Sequence, residues 1–170
     1  QLSEQNYYTF YDLVIPPYDL AKLSGLYLSN PWLYGCINAI TSEVTANKLE
    51  IIYMGKEENQ SDREKLNDFF FITDRDETIY DVIKKFIIDE QSTGNGYFEL
   101  SRNQNGEPAN IFHARAKDIR VKRDRTGYIQ LIDTRRQEFG SYSAGDKKKI
   151  GNNISNDLTE LIHSKLYNPE

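Results

Sequence analysis

Apolar positions along the chain recur first at a helical period and later at a strand period. Residues 18–28 have the spacing of a short helix. A firmer helix follows, because Asn30 suits a helix cap and Pro31 suits the first turn. In it Leu33, Ile37, Ile40 and Val44 fall on one stripe with Cys36 alongside, a face expected to pack on a core. Residues 48–54 (KLEIIYM) are rich in β-favouring types and stop at Gly55, which predicts a short strand. Ser61 with Glu64 has capping-box spacing ahead of a helix whose apolar side carries Leu66, Phe69 and Phe70, and the run Phe69, Phe70, Phe71 is expected in the core. Thr78 with Asp81 repeats that cap before the clearest helix of the chain, where Ile79, Val82, Ile83, Phe86 and Ile87 line one side and Gly94 or Gly96 marks the end.

After these glycines the period changes to two. Strands are predicted over residues 97–102, 111–114, 119–122 and 128–132, with turns at Asn105-Gly106 and Thr126-Gly127. A short strand at 137–139 precedes a polar loop over 140–156. The last strand, 159–166, sets Leu161, His163 and Lys165 on one face and Ile162, Ser164 and Leu166 on the other. The expected fold class is α+β: N-terminal helices packed on a mainly antiparallel sheet or meander, in one domain over residues 18–170. Residues 1–17, polar and aromatic and closed by Pro16-Pro17, read as an extended arm reaching to something else.

Composition narrows the function. The chain has 170 residues, 38% hydrophobic and 28% charged, enough for one compact domain or two small lobes sharing a core. No run approaches the roughly 20 apolar residues of a membrane span, and the N-terminus lacks the basic-then-apolar order of a signal peptide, so no membrane partner is expected. Cys36 is the single cysteine and is expected to be a small buried hydrophobe, in keeping with assembly in a reducing compartment. A net charge of −5 argues against a domain devoted to wrapping nucleic acid, which draws its affinity from many Lys and Arg on phosphates. The opening at Gln1 and the stop at Glu170 are those expected of a segment of a longer protein.

No constellation for chemistry emerges. Gly94-Asn95-Gly96 lacks the Lys-Ser/Thr of a phosphate loop and follows a helix, so it reads as a helix-end turn. His113 and His163 lie in different predicted strands without a cysteine set, which leaves no zinc spacing, and no cofactor is expected. Asp74, Asp76, Glu77, Asp89 and Glu90 read as a solvated acidic face; paired, they would be the carboxylates of a magnesium-dependent nuclease. Lys147, Lys148 and Lys149 form the sharpest basic run, joined in the strand-rich half by Lys122, Arg123, Arg125, Arg135 and Arg136. These read as charged loop tips, or, if several share a face, as a sequence-independent contact to DNA or a partner.

Taken in order, several segments resemble the portal proteins of tailed bacterial and archaeal viruses. They are LSNPWLYGCINAITSEVTANKLEI (28–51), VIKKFIIDEQSTGNGYFEL (82–100), IFHARAKDIRVKRDRTGYIQL (111–131), EFGSYSAGDKKKI (138–150) and ELIHSKLYNPE (160–170). The matching positions in the second are Thr93, Gly94, Asn95, Tyr97 and Glu99. The resemblance covers nearly the whole chain from Tyr18 onward and rests on order and spacing; Ser-Tyr-Ser-Ala interrupts the fourth segment. It implies a structural subunit, not an enzyme, in a homo-oligomeric ring, dodecameric as a rule, at the portal vertex of the capsid. Such a ring is assembled in the host cytoplasm and carried in the virion, and double-stranded DNA passes through it during packaging and ejection. Capsid protein, the terminase and the head-tail connector would be its partners. This chain would be most of the wing, with stem, clip and crown beyond residue 170. The competing readings are a stand-alone module that binds nucleic acid or protein through the basic hairpins, and the metal-dependent nuclease.

Overall fold

Helix starts fall where side-chain oxygens can take up amides that have no partner in the first turn. Asp19 accepts from the amides of Ala21 and Lys22 and opens α1 (Leu20–Ser29). Asn30 serves two helices. Its own amide donates back to the Leu26 carbonyl, and its side chain accepts from the amides of Trp32 and Leu33 at 3.0 and 3.2 Å to open α2 (Pro31–Ala46). The two helices meet where Tyr27 stacks on Tyr34, with ring centroids 5.2 Å apart, and hydrogen-bonds to Asn38. The structure is a computed structural model that describes residues 12–52, 59–71, 77–133, 135–141 and 159–165.

The strand expected at 48–54 is absent over its described part, since residues 47–52 are irregular. The Leu49 amide donates to the Tyr80 hydroxyl instead, which ties this segment to a helix. Helix α3 (Gln60–Phe71) is headed by Asn59, not Ser61: the Asn59 side chain accepts from the Ser61 amide, and its carbonyl from those of Asp62 and Arg63. Phe69 and Phe70 are only half-buried and Phe71 is exposed, so this aromatic run is not core. Phe70 and Phe71 instead line an apolar cavity of about 290 Å³ against Ile51, Ile79, Ile83 and Phe98.

Helix α4 (Ile79–Thr93) forms as its sequence predicts, with a complete capping box between Thr78 and Asp81. Ile79, Val82 and Ile87 are buried and Ile83 and Phe86 half-buried. Gly94 closes the helix at φ 76°, a conformation open to glycine at little cost. The chain then enters a six-stranded sheet: β1 (Asn95–Arg102), β2 (Pro108–Ala114), β3 (Ile119–Val121), β4 (Gly127–Ile132), β5 (Arg135–Ser141) and β6 (Thr159–Lys165), in the order β2-β1-β6-β5-β4-β3. All neighbours pair antiparallel except β5 with β6. The architecture is α+β, and the sheet departs from a simple meander in two ways: β2 and β3 lie at opposite edges, and the last strand inserts between β1 and β5.

Both faces of the sheet are covered. On one, Phe98 stacks on Phe86 of α4 with centroids 4.1 Å apart and planes 4° from parallel. On the other, Tyr97, Ala114, Leu161 and Phe139 join Ile119 and Ala116 of the β2–β3 connection in one buried cluster. A cluster drawing on both edge strands requires the sheet to curve over it. Asp12, Leu13 and Val14 lie on this same sheet: Leu13 is buried and bridges to Lys122, and the Val14 amide donates to the Val121 carbonyl. The described end of the expected arm thus extends the β3 edge.

Candidate interaction surfaces

The acidic groups prove to be structural fasteners. Asp89, expected on a solvated face, is buried on α4; one carboxylate oxygen accepts from His113 Nε2 at 2.9 Å and from the Ala116 amide at 2.7 Å. It pins the helix to β2 and to the turn after it. Glu90 accepts from the Ser164 hydroxyl, and Glu77 is ion-paired with Lys85. Asp74 and Asp76 lie outside the described residues. Among the described residues no three His, Cys, Asp or Glu side chains are grouped to hold a metal ion.

The histidines are likewise committed. His163 stacks on Tyr97 with centroids 4.3 Å apart, meets Tyr128 edge-on and hydrogen-bonds to Asn95. Burial, helped by Lys165, pushes its pKa down to about 4, so the ring is neutral near pH 7. A cleft of about 490 Å³ beside His113 is lined by Lys85, Arg115 and Lys117, but Lys85 is paired with Glu77 and Arg115 with Asp118. Its positive charge is thereby largely neutralised.

The same holds where the basic residues cluster. Lys122, Arg123 and Arg125 come together around the β3–β4 turn, with Arg125 at φ 59°. Lys122 is ion-paired with Glu138 at 2.8 Å, and Arg136 with Asp12 at 2.8 Å and Glu138 at 3.2 Å. The Arg136 hydrogen bond lowers the Asp12 pKa, and that of Lys122 lowers the pKa of Glu138. Lys147, Lys148 and Lys149 lie outside the described residues.

The surface that stands out is apolar. Spacing by four places Trp32, Cys36, Ile40 and Val44 in one row along α2. Trp32 is 85% exposed, Ile40 44%, Val44 49%, and Cys36 is exposed, so neither the cysteine nor half of the expected stripe is buried. The row that packs inward is the adjacent one, where Ile37 and Thr41 are buried and the Thr41 hydroxyl donates to the Ile37 carbonyl at 2.7 Å. Leu28, at the end of α1, is 76% exposed. The apolar arc of α2 is wider than the contact it makes with the described residues.

No protein-family model matches the chain. It is similar to the uncharacterized protein YqbA of Bacillus subtilis (strain 168), 25% identical over an alignment of 212 residues that covers 98% of this chain and 41% of that protein. It is also similar to the phage-like element PBSX protein XkdE of the same strain, 26% identical over 187 residues, covering 88% of this chain and 37% of that one. The chain spans about two fifths of the length of these relatives. Among solved structures, a chain from the neck of an empty gene transfer agent (GTA) particle, computed with C6 symmetry, superposes with a TM-score of 0.71 over 92% of this chain and 40% of its own, at 18% identity. A chain from the virion of a native GTA particle matches with a TM-score of 0.67, also at 18% identity, over 92% of this chain and 38% of its own.

The chain shares its fold with these GTA particle chains. The superposed portion takes in nine tenths of the chain. No local pattern signals the Asp89 fastener, whose partners lie 24 and 27 residues away.

Proposed function

We propose that this chain is the wing segment of a portal subunit, a ring-forming structural protein at the DNA-conducting vertex of a phage or phage-like particle. The observation that carries the reading is the fold shared with a GTA neck chain at a TM-score of 0.71 over 92% of the chain. The segments that resemble portal proteins agree with it, because their distinctive positions fall on junctions between elements: Asn30-Pro31-Trp32 between α1 and α2, and Thr93-Gly94-Asn95 between α4 and β1. The relationship to a protein of the phage-like element PBSX supports the same setting. The neck structures that share the fold are computed with C6 and C12 symmetry, in keeping with a closed ring.

On this reading the subunit works as a gasket and a docking ring for terminase, capsid protein and head-tail connector, and a separate motor supplies the energy for packaging. Double-stranded DNA passes through without being gripped. The acidic net charge and the ion-paired cations around Lys122 favour weak contact with a polyanion. The candidates for any contact to the DNA backbone are Lys122, Arg123, Arg125 and the run Lys147, Lys148 and Lys149.

Mass photometry of the full-length protein over a range of salt concentrations tests the proposal. A closed oligomer many subunits in size, with DNA affinity too weak to measure at physiological salt, is the expected result. A stable monomer whose DNA affinity falls steeply with salt would replace the ring with a stand-alone binding module.

A further inference from the structure

Helices α1 and α2 contain 26 residues and two charges, Lys22 and Glu43. On a chain with net charge −5 this is the region where a second copy can approach without meeting like charge. It is also where apolar surface is left in water. Trp32 alone leaves roughly 200 Å² uncovered. With Ile40 and Val44 in the same row it leaves a few hundred Å², a large part of the ~800 Å² that each partner gives a standard interface, and Leu26 and Leu28 of α1 are exposed as well. Monomers seldom leave a patch of that size uncovered. Nothing hinders close approach at Gly35, beside the row, where even an added Cβ would meet no atom within 4 Å.

From these observations, and resting on the ring reading above, we infer that the outward row of α2, Trp32, Cys36, Ile40 and Val44, is the face on which the next copy of this chain docks in the ring. The occupant is a copy of the chain because the row is charge-poor while both the DNA and the chain as a whole are acidic. In a closed ring each contact is heterologous: the row meets a different surface of its neighbour, and equivalent residues never face one another. Cys36 in one copy therefore lies against residues other than Cys36 in the next. The same contact explains why the apolar arc of α2 is broader than the core requires, since one edge of it serves the domain and the other the assembly.

Cys36 is a reporter already in place. In the full-length protein, maleimide labelling of Cys36 followed by peptide mass spectrometry should run at least tenfold slower in assembled rings than in unassembled subunits. Ile40→Glu, at an exposed position, should keep the helical content and melting temperature of the domain while shifting the protein from rings to subunits with a fast-reacting Cys36. Trp32→Lys should do the same and stands in if Ile40→Glu does not fold. Rings that form normally but label at the subunit rate overturn the inference and leave the ring reading intact. So do rings that label rapidly alone yet are protected in whole particles, a result that assigns the face to another virion protein. A Cys36–Cys36 disulfide formed rapidly under mild oxidation would mean a two-fold contact and also overturn it. Absence of rings from the unmodified protein removes both readings together.

Discussion

Arg102 closes β1, and Glu160 sits near the start of β6, the strand inserted from far along the chain. Their side chains are 6% and 1% exposed, and the guanidinium reaches one carboxylate oxygen at 2.8 and 3.3 Å. The remaining arm of Arg102 donates to the Gly106 carbonyl at 2.9 Å. Arg102→Met keeps most of the stem and removes the charge that faces the buried Glu160 carboxylate. Breaking a buried pair this way costs about 3–5 kcal/mol, which the lost bond to Gly106 raises by roughly 1 kcal/mol. A domain of this size has about 5–15 kcal/mol in all, so the variant should sit near its limit. Replacing both partners, Arg102→Met with Glu160→Leu, should recover most of the loss, because neither charge then needs solvating. Urea denaturation of residues 1–170 at pH 7, followed by circular dichroism, reads both effects; the single variant should lower the midpoint by roughly 2 M at an ordinary slope. A single variant within 1 kcal/mol of the parent, or a double variant no better than the single, would refute the claim that this pair locks β6 into the sheet.

Stability should fall as pH drops from about 6.5 towards 4, the interval between the free value of His163 and its value in the fold, because the unfolded chain binds the proton first. The full gap corresponds to about 3 kcal/mol, reduced to about 1–2 kcal/mol by the solvent that reaches the half-buried ring. Glu99, its pKa raised by burial, works in the opposite direction at the acid end, so the comparison is with His163→Gln, which should flatten the profile; parallel profiles would refute the assignment. Gly127→Ala places a Cβ 2.4 Å from the Phe139 carbonyl oxygen, a backbone atom, and should cost about 2 kcal/mol or more in a thermal melt as β4 and β5 part. Asp89→Ala leaves the buried Ala116 amide without its acceptor and should cost about 2–3 kcal/mol, with hydrogen exchange accelerated first at residues 113–119.

What the sequence made legible was whatever its own neighbours decide. The cap at Thr78, the stripe on α4 and the stop at Gly94 are settled by a fifteen-residue helix and its two flanking residues, and each stands as read. The cap at Asn59 was missed because Ser61 offers the same chemistry two residues later, and the choice between them depends on where the incoming chain arrives. The strand expected at 48–54 has the right residue types, but a strand needs a neighbour, and the Tyr80 hydroxyl took the Leu49 amide instead. Insertion of β6 between β1 and β5, and the Asp89 fastener with it, are matters of tertiary order that no local pattern encodes. For α2 the period marked the apolar positions but not which of two adjacent rows faces the core. The row assigned inward that turned outward, around Cys36 and Ile40, is where an assembly contact is now proposed.

Imaging the full-length gene product by negative-stain electron microscopy bears most directly on the ring. Closed rings with a central channel, dodecameric or close to it, are the predicted result. Monodisperse single particles without a channel, in several salts and at high protein concentration, would contradict it.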